Sequence, residues 1–96
     1  MNVRFLETAR MELDDSVDYY NRQLEGLGLE FLKEVLKTID LVLLYPLAWP
    51  QLTSRTRRCR INRFPFGIIY QVREDEILVV AVAHLHRKPD YWNVRI

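Results

Sequence analysis

Arginines are concentrated in one short segment of the chain, and their alternating spacing is the feature with the most chemical potential. The segment RTRRCRINR, residues 55–63, holds five arginines in nine positions. In an extended strand successive side chains point to opposite faces, so Arg58 and Arg60 share one face. Guanidinium groups gathered in this way can bind phosphate or an acidic protein partner. They can also keep a solvated strand edge from pairing with another chain, and the sequence leaves both interpretations open.

Two histidines, His84 and His86, share one strand face near the end of the sequence. Imidazole titrates near neutral pH, so either residue is a candidate general base. The simpler interpretation, which we adopt, is that both are strand-end residues bonded to the backbone. As metal ligands they form an incomplete set, because only Asp90 is close in sequence and no cysteine is. The sequence therefore predicts neither a metal nor a cofactor, and it contains no glycine-rich phosphate loop.

Length and cysteine content restrict the class of protein. A chain of 96 residues with 49% hydrophobic residues suits one domain, residues 1–96, with a single modest core. Cys59 is the only cysteine, so no internal disulfide can form, which is typical of the reducing cytoplasm. The most apolar stretch, residues 41–49, is too short to cross a membrane and contains Pro46. We therefore expect a cytoplasmic protein with no membrane partner.

The formal net charge of +1 conceals an uneven distribution of charged residues. Residues 1–54 contain five lysines and arginines against nine aspartates and glutamates. Residues 55–96 contain nine lysines and arginines against four aspartates and glutamates. The first part is thus acidic and the second part basic, which indicates an anionic partner for the surface that the second part forms.

Hydrophobic spacing predicts a strand and two helices in the first half of the chain. Residues 2–6 alternate like a short strand, and Thr8 can cap the helix that follows. The apolar stripe of this first helix is formed by Ala9, Leu13, Val17, Tyr20 and Leu24. A second helix is predicted over residues 29–44, with an apolar stripe formed by Phe31, Val35, Ile39 and Val42. Helices joined by so short a turn must lie antiparallel, as a hairpin.

Three strands are predicted in the second half, over residues 55–62, 66–72 and 77–85. The last is almost wholly apolar, which indicates a strand buried on both faces at the centre of the sheet. Residues 46–54 are interpreted as a loop, and a short C-terminal tail begins at Pro89. The order β-α-α-β-β-β predicts an α+β fold, in which the helix hairpin packs on one face of an N-terminal strand and three antiparallel strands. The arginines and the tail are then expected on the other face.

Several segments of the chain carry a family resemblance through their order and spacing. The first are the tyrosine pair at 19–20, then GLG and EFL within residues 26–32. RCR at 58–60, RFPF at 63–66 and IY at 69–70 follow. The strongest part is AHLHRKPDYW, residues 83–92, and Arg95 closes the set. Together these segments resemble the RelE/ParE superfamily of toxins from type II toxin-antitoxin systems, and its ParE branch more closely.

The resemblance implies a bacterial toxin that inhibits growth, serves plasmid stabilisation and is neutralised by a cognate antitoxin protein. In the ParE branch the implied action is binding and inhibition of DNA gyrase, so the protein would not be an enzyme. The alternative is the RelE branch, in which the protein is an mRNA interferase, an endoribonuclease that acts on the ribosome. A second alternative is an inactive family member that retains only antitoxin binding.

The catalytic residues of the RelE branch can be placed on this chain one by one. Two second-strand lysines correspond to Arg58 and Arg60, which keep the charge but are poor bases because arginine holds its proton too firmly. A third-strand arginine corresponds to Gly67, which has no side chain. A fourth-strand arginine corresponds to Arg87, and the C-terminal tyrosine to Tyr91. These four side chains are the catalytic residues implied for an RNase, and the gap at Gly67 favours the gyrase inhibitor.

A surface that binds the target or the antitoxin is predicted to include these four residues. In this family, acidic residues of the antitoxin tend to meet the basic surface of the toxin. Tyr91 and Trp92 can dock on a partner, but aromatic residues in a tail more often pin it to the core, and we adopt that interpretation. By spacing alone, Asn93 fits the place of the RelE-branch tyrosine better than Tyr91 does. The predicted surface comprises Arg55, Arg57, Arg58, Arg60, Arg63, Arg87, Tyr91, Trp92 and Arg95.

Overall fold

A computed structural model describes residues 1–96 of the chain. It contains one strand and two α-helices, followed by four strands and a short 3₁₀ helix. In chain order the elements are β1 (Asn2–Phe5), α1 (Glu7–Gln23), α2 (Leu27–Leu44), β2 (Gln51–Thr53), β3 (Thr56–Arg60), β4 (Phe66–Val72), β5 (Glu76–His84) and the 3₁₀ helix (Tyr91–Arg95). Neither α1 nor α2 combines the length and the hydrophobicity that a membrane-crossing helix requires.

The five strands form one mixed sheet in the order β1-β5-β4-β3-β2. β1 runs parallel to β5, with Val3 opposite Ile77, and all other neighbouring strands are antiparallel. Seven of the nine residues of β5 are buried, because this strand lies between two others and is covered on both faces. The predicted α+β fold with a helix pair is therefore confirmed, as is the burial of β5, although β4 and not β5 lies at the centre of the sheet.

The sheet has one strand more than the sequence predicts. The prediction of a loop over residues 46–54 is wrong at Gln51–Thr53, which forms β2 antiparallel to β3. The hydroxyl groups of Thr53 and Thr56 share a hydrogen bond of 2.7 Å where the two strands meet. β2 is a short edge strand whose residues are mostly exposed, so its sequence lacks the alternation of apolar residues that predicts a strand. Its strand conformation comes from pairing with β3.

Two details of the first helix also differ from the prediction. α1 begins at Glu7 and has no side-chain cap from Thr8. The chain passes directly from β1 into the helix, and the Leu6 N–H donates to the Val79 oxygen at 3.0 Å. Leu24 is exposed because it lies beyond the last turn of α1. Both differences concern helix ends, where tertiary contacts compete with local signals.

An aromatic cluster forms the centre of the core between the helices and the sheet. The ring centroids of Phe31 in α2 and Phe66 in β4 lie 4.9 Å apart, and Phe64 lies 5.2 Å from Phe31. Tyr20 of α1 completes the cluster at 4.8 Å from Phe64. Such pairs stabilise a core beyond the area that they bury. The predicted stripe of α2 is confirmed, since Phe31, Val35, Ile39 and Val42 are all buried.

A smaller cluster brings Cys59 and Tyr70 against Val42 of α2. Burial raises the pKa of the Cys59 thiol from its ordinary value of 9.0 to about 11. Burial also raises the pKa of the Tyr70 hydroxyl, from 10.0 to about 12. The same hydroxyl donates a hydrogen bond of 2.8 Å to the oxygen of Pro46, just after α2. Cys59 is therefore a protonated core residue and not a reactive thiol.

The helix hairpin depends on a close approach at Gly28. A Cβ atom at this position would collide with the backbone oxygen of Val17 and would lie 2.6 Å from Cγ of Asn21. The side-chain oxygen of Asn21 accepts a hydrogen bond of 2.8 Å from the Gly28 N–H, so α1 satisfies a free donor in the first turn of α2. In the connecting turn, Gly26 has a φ of 87°, a left-handed conformation that favours glycine.

We expect Gly28→Ala to lower the free energy of unfolding by about 1–3 kcal/mol, because the added methyl group must push the helices apart. Urea denaturation followed by circular dichroism measures this change. Lys33→Ala, at an exposed position of α2, is the control and should change the free energy of unfolding by less than about 0.5 kcal/mol. An equally small effect of Gly28→Ala would show that the hairpin does not need this contact.

The raised pKa values of Cys59 and Tyr70 predict a loss of stability in alkaline solution. The unfolded chain releases these protons at their ordinary pKa values whereas the folded chain retains them, so ionisation favours unfolding. Their contribution is complete below pH 9.0 and is lost as the pH rises through about 11 and about 12. Urea midpoints should therefore fall steadily with rising pH, and Cys59→Ala should flatten the first part of the decline. Midpoints that do not depend on pH would contradict the burial of both groups.

Candidate functional site

The C-terminal tail is held against the sheet by one carboxylate, that of Glu12 in α1. Its Oε1 atom accepts hydrogen bonds from the Val82 N–H at 3.1 Å and from Arg95 Nη1 at 2.8 Å. Its Oε2 atom accepts from the Tyr91 hydroxyl at 2.6 Å and from Arg95 Nη2 at 3.0 Å. Hydrogen bonds to ionised groups are about twice as strong as neutral ones. One side chain therefore joins α1, β5 and the 3₁₀ helix.

Glu12 lies beside the part of β5 that β1 does not reach. β1 ends opposite Val79, so beyond this residue β5 has no strand beside it on that edge. There Glu12 accepts from the Val82 N–H, and Arg95 donates to the Val80 oxygen at 2.9 Å. Two ionised side chains thus replace the missing strand and satisfy backbone groups that would otherwise be unpaired.

Glu12 is not among the predicted site residues, although the sequence contains a signal for it. Residue 12 lies between Ala9 and Leu13 on the buried side of α1, where a carboxylate must find a partner. The side chain of Glu12 is only 15% exposed. Its partner was not predictable from local spacing, because Arg95 is 83 residues away and meets Glu12 only when the tail returns.

Arg87 lies over the tail and keeps its guanidinium open to solvent. Its Cζ atom lies 3.9 Å from the centroid of the Tyr91 ring, which is a cation-π contact. Its Nη1 atom is 3.6 Å from Oε2 of Glu12, and its side chain remains 56% exposed. The carboxylate that anchors the tail therefore also orients an exposed cation.

A shallow cavity of about 140 Å³ opens between the tail and the sheet face that the helices leave uncovered. Ile69 of β4 contributes to its apolar lining. Arg58, Arg87 and Lys88 supply positive charge, and Asp90 is the single acidic residue in the lining. This excess of positive charge favours an anionic ligand.

Gly67 determines where Arg58 lies. A Cβ atom on Gly67 would be 3.0 Å from both Cγ and Cδ of Arg58, so the stem of the arginine rests against the glycine backbone. Arg60, directly opposite Gly67, shares the strand face of Arg58 and is exposed. The position that lacks the RelE-branch arginine is therefore covered by an arginine from the neighbouring strand.

The structure divides the predicted surface residues among separate places. One group lies on the sheet face that carries the tail: Arg58, Arg60, Arg87 and Tyr91. Arg55 and Arg57 line a second hollow near β2, and Arg57 donates to the Trp49 oxygen at 2.7 Å. Arg63 turns toward the helices, with Nη2 at 3.0 Å from Oε2 of Glu30. Alternation along β3 explains the separation of Arg57 from Arg58.

Two residues predicted on the binding surface lie inside the protein instead. Trp92 is 3% exposed and packs in a cluster with Ile69 and Leu78. Arg95 is largely buried, with both terminal nitrogens bonded to Glu12. The correction has a physical reason, since a short tail needs buried side chains to offset the entropy lost when it is ordered. Tyr91 and Trp92 thus pin the tail to the core, in agreement with the interpretation preferred from the sequence.

The group beside the tail, Arg58, Arg60, Arg87 and Tyr91, supplies positive charge but no free base of its own. The Tyr91 hydroxyl donates to Glu12, and burial together with this hydrogen bond raises its pKa, so it keeps its proton. The Nδ1 atom of His84 accepts a hydrogen bond of 3.1 Å from the His86 N–H, as expected for a strand-end residue. No three His, Cys, Asp or Glu side chains lie close enough to hold a metal ion. The arrangement can bind an anion through electrostatic attraction.

We expect Glu12→Gln to lower the free energy of unfolding by about 2–4 kcal/mol. The amide keeps the size of the side chain but leaves Arg95 charged and without its counter-ion in a largely buried place, which is costly. Urea denaturation followed by tryptophan fluorescence measures the change, because Trp92 of the tail is buried against the sheet.

Glu25→Gln is the matched control, since Glu25 is exposed in the turn between the helices. This substitution should change the free energy of unfolding by less than about 0.5 kcal/mol. If Glu12→Gln has no larger effect than Glu25→Gln, the tail does not depend on the ion pair.

Comparison with known proteins agrees with this architecture. A model of the family described as ParE toxin of type II toxin-antitoxin system, parDE, matches residues 3–89. A solved structure described as the chromosomal ParDE TA system from P. aeruginosa is similar, with a TM-score of 0.78. The two sequences are 17% identical over 90% of this chain and 97% of the other, so the likeness shows a shared fold. No curated protein matches the sequence. Because the family model spans most of the chain, the protein belongs to the ParE toxin family of type II toxin-antitoxin systems.

Proposed function

We propose that this protein, a toxin domain over residues 1–96, inhibits growth in the bacterial cytoplasm by binding DNA gyrase and is neutralised by a cognate antitoxin. Membership in the ParE family supports the role of a toxin. The observation that carries a binding mode is the cavity beside the tail. Arg58 and Arg87 line it, and the Tyr91 hydroxyl beside them is engaged with Glu12.

The way in which these cations are held favours binding. Arg58 rests against Gly67, and Arg87 is positioned by the ring of Tyr91 and the carboxylate of Glu12. Side chains that are already ordered lose less conformational entropy when a partner binds. The surface therefore suits recognition of an acidic or phosphate-bearing partner without any chemical step.

Cleavage of mRNA agrees less well with the geometry. That reaction requires a base for the 2′-hydroxyl proton and an acid for the leaving oxygen. Arg58, Arg60 and Arg87 are poor bases because arginine remains protonated. Tyr91 has its hydroxyl engaged with Glu12. The four residues implied for an RNase therefore supply positive charge alone, and we favour the gyrase inhibitor.

The antitoxin is proposed to meet the same cations with acidic residues. Arg60 and Lys88 are exposed, and Arg87 is only partly engaged by Glu12. Complementary charge accelerates association and disfavours wrong partners. An antitoxin segment that covers these cations would prevent gyrase from using them, so one surface would serve both inhibition and neutralisation.

Purified toxin is expected to block supercoiling of relaxed plasmid by DNA gyrase. Arg60→Ala should require roughly fivefold more toxin for the same inhibition, since an exposed charged contact contributes about 1 kcal/mol. Lys33→Ala removes the same charge from an exposed position of α2 and should inhibit as the unchanged protein does. Circular dichroism of both variants checks that each one is folded.

Unaffected supercoiling would contradict gyrase as the target. If translating ribosomes with added toxin then contain cut mRNA, the interferase alternative is correct. Intact mRNA together with harmless expression in growing cells would indicate an inactive family member that only binds its antitoxin.

A further inference from the structure

A further hollow, of about 480 Å³ and separate from the one near β2, lies where α1 meets the start of β4 and the end of β5. It shares only His84 with the cavity beside the tail and contains none of the arginines. Its lining residues are Asp15, Ser16, Tyr19, Tyr20, Pro65, Phe66 and His84. The function proposed above uses none of them.

Aromatic rings form most of the walls of this hollow. The ring centroids of Tyr19 and Tyr20 lie 5.3 Å apart and nearly perpendicular, and Tyr20 lies 6.2 Å from Phe66. His84 continues the wall at 5.0 Å from Phe66. Tyr19 is largely exposed, so part of its ring is open to solvent. The negative faces of such rings attract a cation, especially when several rings surround it.

The one ionised side chain in the lining is a carboxylate without a cation beside it. Asp14 forms an ion pair with Arg10 at 3.6 Å, whereas neighbouring Asp15 has no ion-pair partner. The Nδ1 atom of His84 accepts a hydrogen bond from the His86 N–H. The lining therefore contains one carboxylate and no lysine or arginine.

We propose that this hollow binds the guanidinium group of an arginine side chain from a polypeptide partner. A guanidinium is planar and weakly hydrated, so it stacks on aromatic rings more readily than an ammonium group. It can donate two parallel hydrogen bonds to the Asp15 carboxylate while one face rests against Tyr19. The hollow is open, which suits a side chain presented by a larger chain. The proposal does not depend on which target the toxin inhibits.

The probe is N-acetyl-arginine-N′-methylamide, titrated into the full chain labelled with ¹⁵N and observed by NMR. Saturable shifts are expected at the backbone amides of Asp15, Tyr19 and His84. The citrulline analogue has nearly the same shape but no charge, and it should bind at least about threefold more weakly, since cation-π attraction contributes about 0.5–1 kcal/mol. Equal affinity for the two probes, or shifts confined to another surface, would overturn the proposal.

Two variants localise the interaction. Asp15→Asn and Tyr19→Leu should each weaken binding of the arginine probe by about threefold or more. The controls are Asp14→Asn, one residue away on the same helix, and Tyr45→Leu, an exposed tyrosine after α2. Both should leave the affinity unchanged. All four positions are exposed, so the variants are expected to fold, and unaltered affinity in Asp15→Asn would contradict the proposed site.

Discussion

Glu12 fills a place in the sheet that a backbone strand would otherwise occupy. β1 pairs with only part of β5. Along the remaining edge of β5, the Val82 N–H needs an acceptor and the Val80 oxygen needs a donor. A carboxylate is stable in this enclosed place because Arg95 neutralises it through two hydrogen bonds. The position of the tail, the ring of Tyr91 and the direction of Arg87 all follow from that pairing.

The basic cavity depends on the missing side chain at Gly67 as much as on its charged residues. Gly67 has no side chain, and Arg58 uses the space to lie across β4 beside the tail. A larger residue at position 67 would require this arginine to move, because its stem already lies at contact distance. The cavity therefore gathers two guanidinium groups from separate parts of the chain, Arg58 from β3 and Arg87 from the turn after β5. Such a site is suited to attracting an anion, because attraction requires fixed charges and no proton transfer.

The uneven charge of the sequence becomes a division of surfaces in the fold. The acidic first half supplies α1, whose Asp15 lines the aromatic hollow, while the basic second half supplies the uncovered sheet face. His84, at the end of β5, stands between the two. Sites of opposite charge on one small protein favour a partner chain with matching charges in a fixed order, which contributes to specificity.

Local periodicity determined the helix hairpin, the buried faces of α2 and β5, and the separation of Arg57 from Arg58, because each depends on which way neighbouring side chains point. The sequence also predicted that Arg58 and Arg87 lie on the sheet face that the helices leave uncovered. Tertiary structure alone decided the edge strand β2, the burial of Trp92 and the pairing of Glu12 with Arg95. These contacts join segments far apart in the chain, and they exist only once the sheet has formed and the tail has returned to it. No local pattern predicts a contact between such distant residues. Spacing could therefore show that Glu12 needed a partner, but not which residue would be that partner.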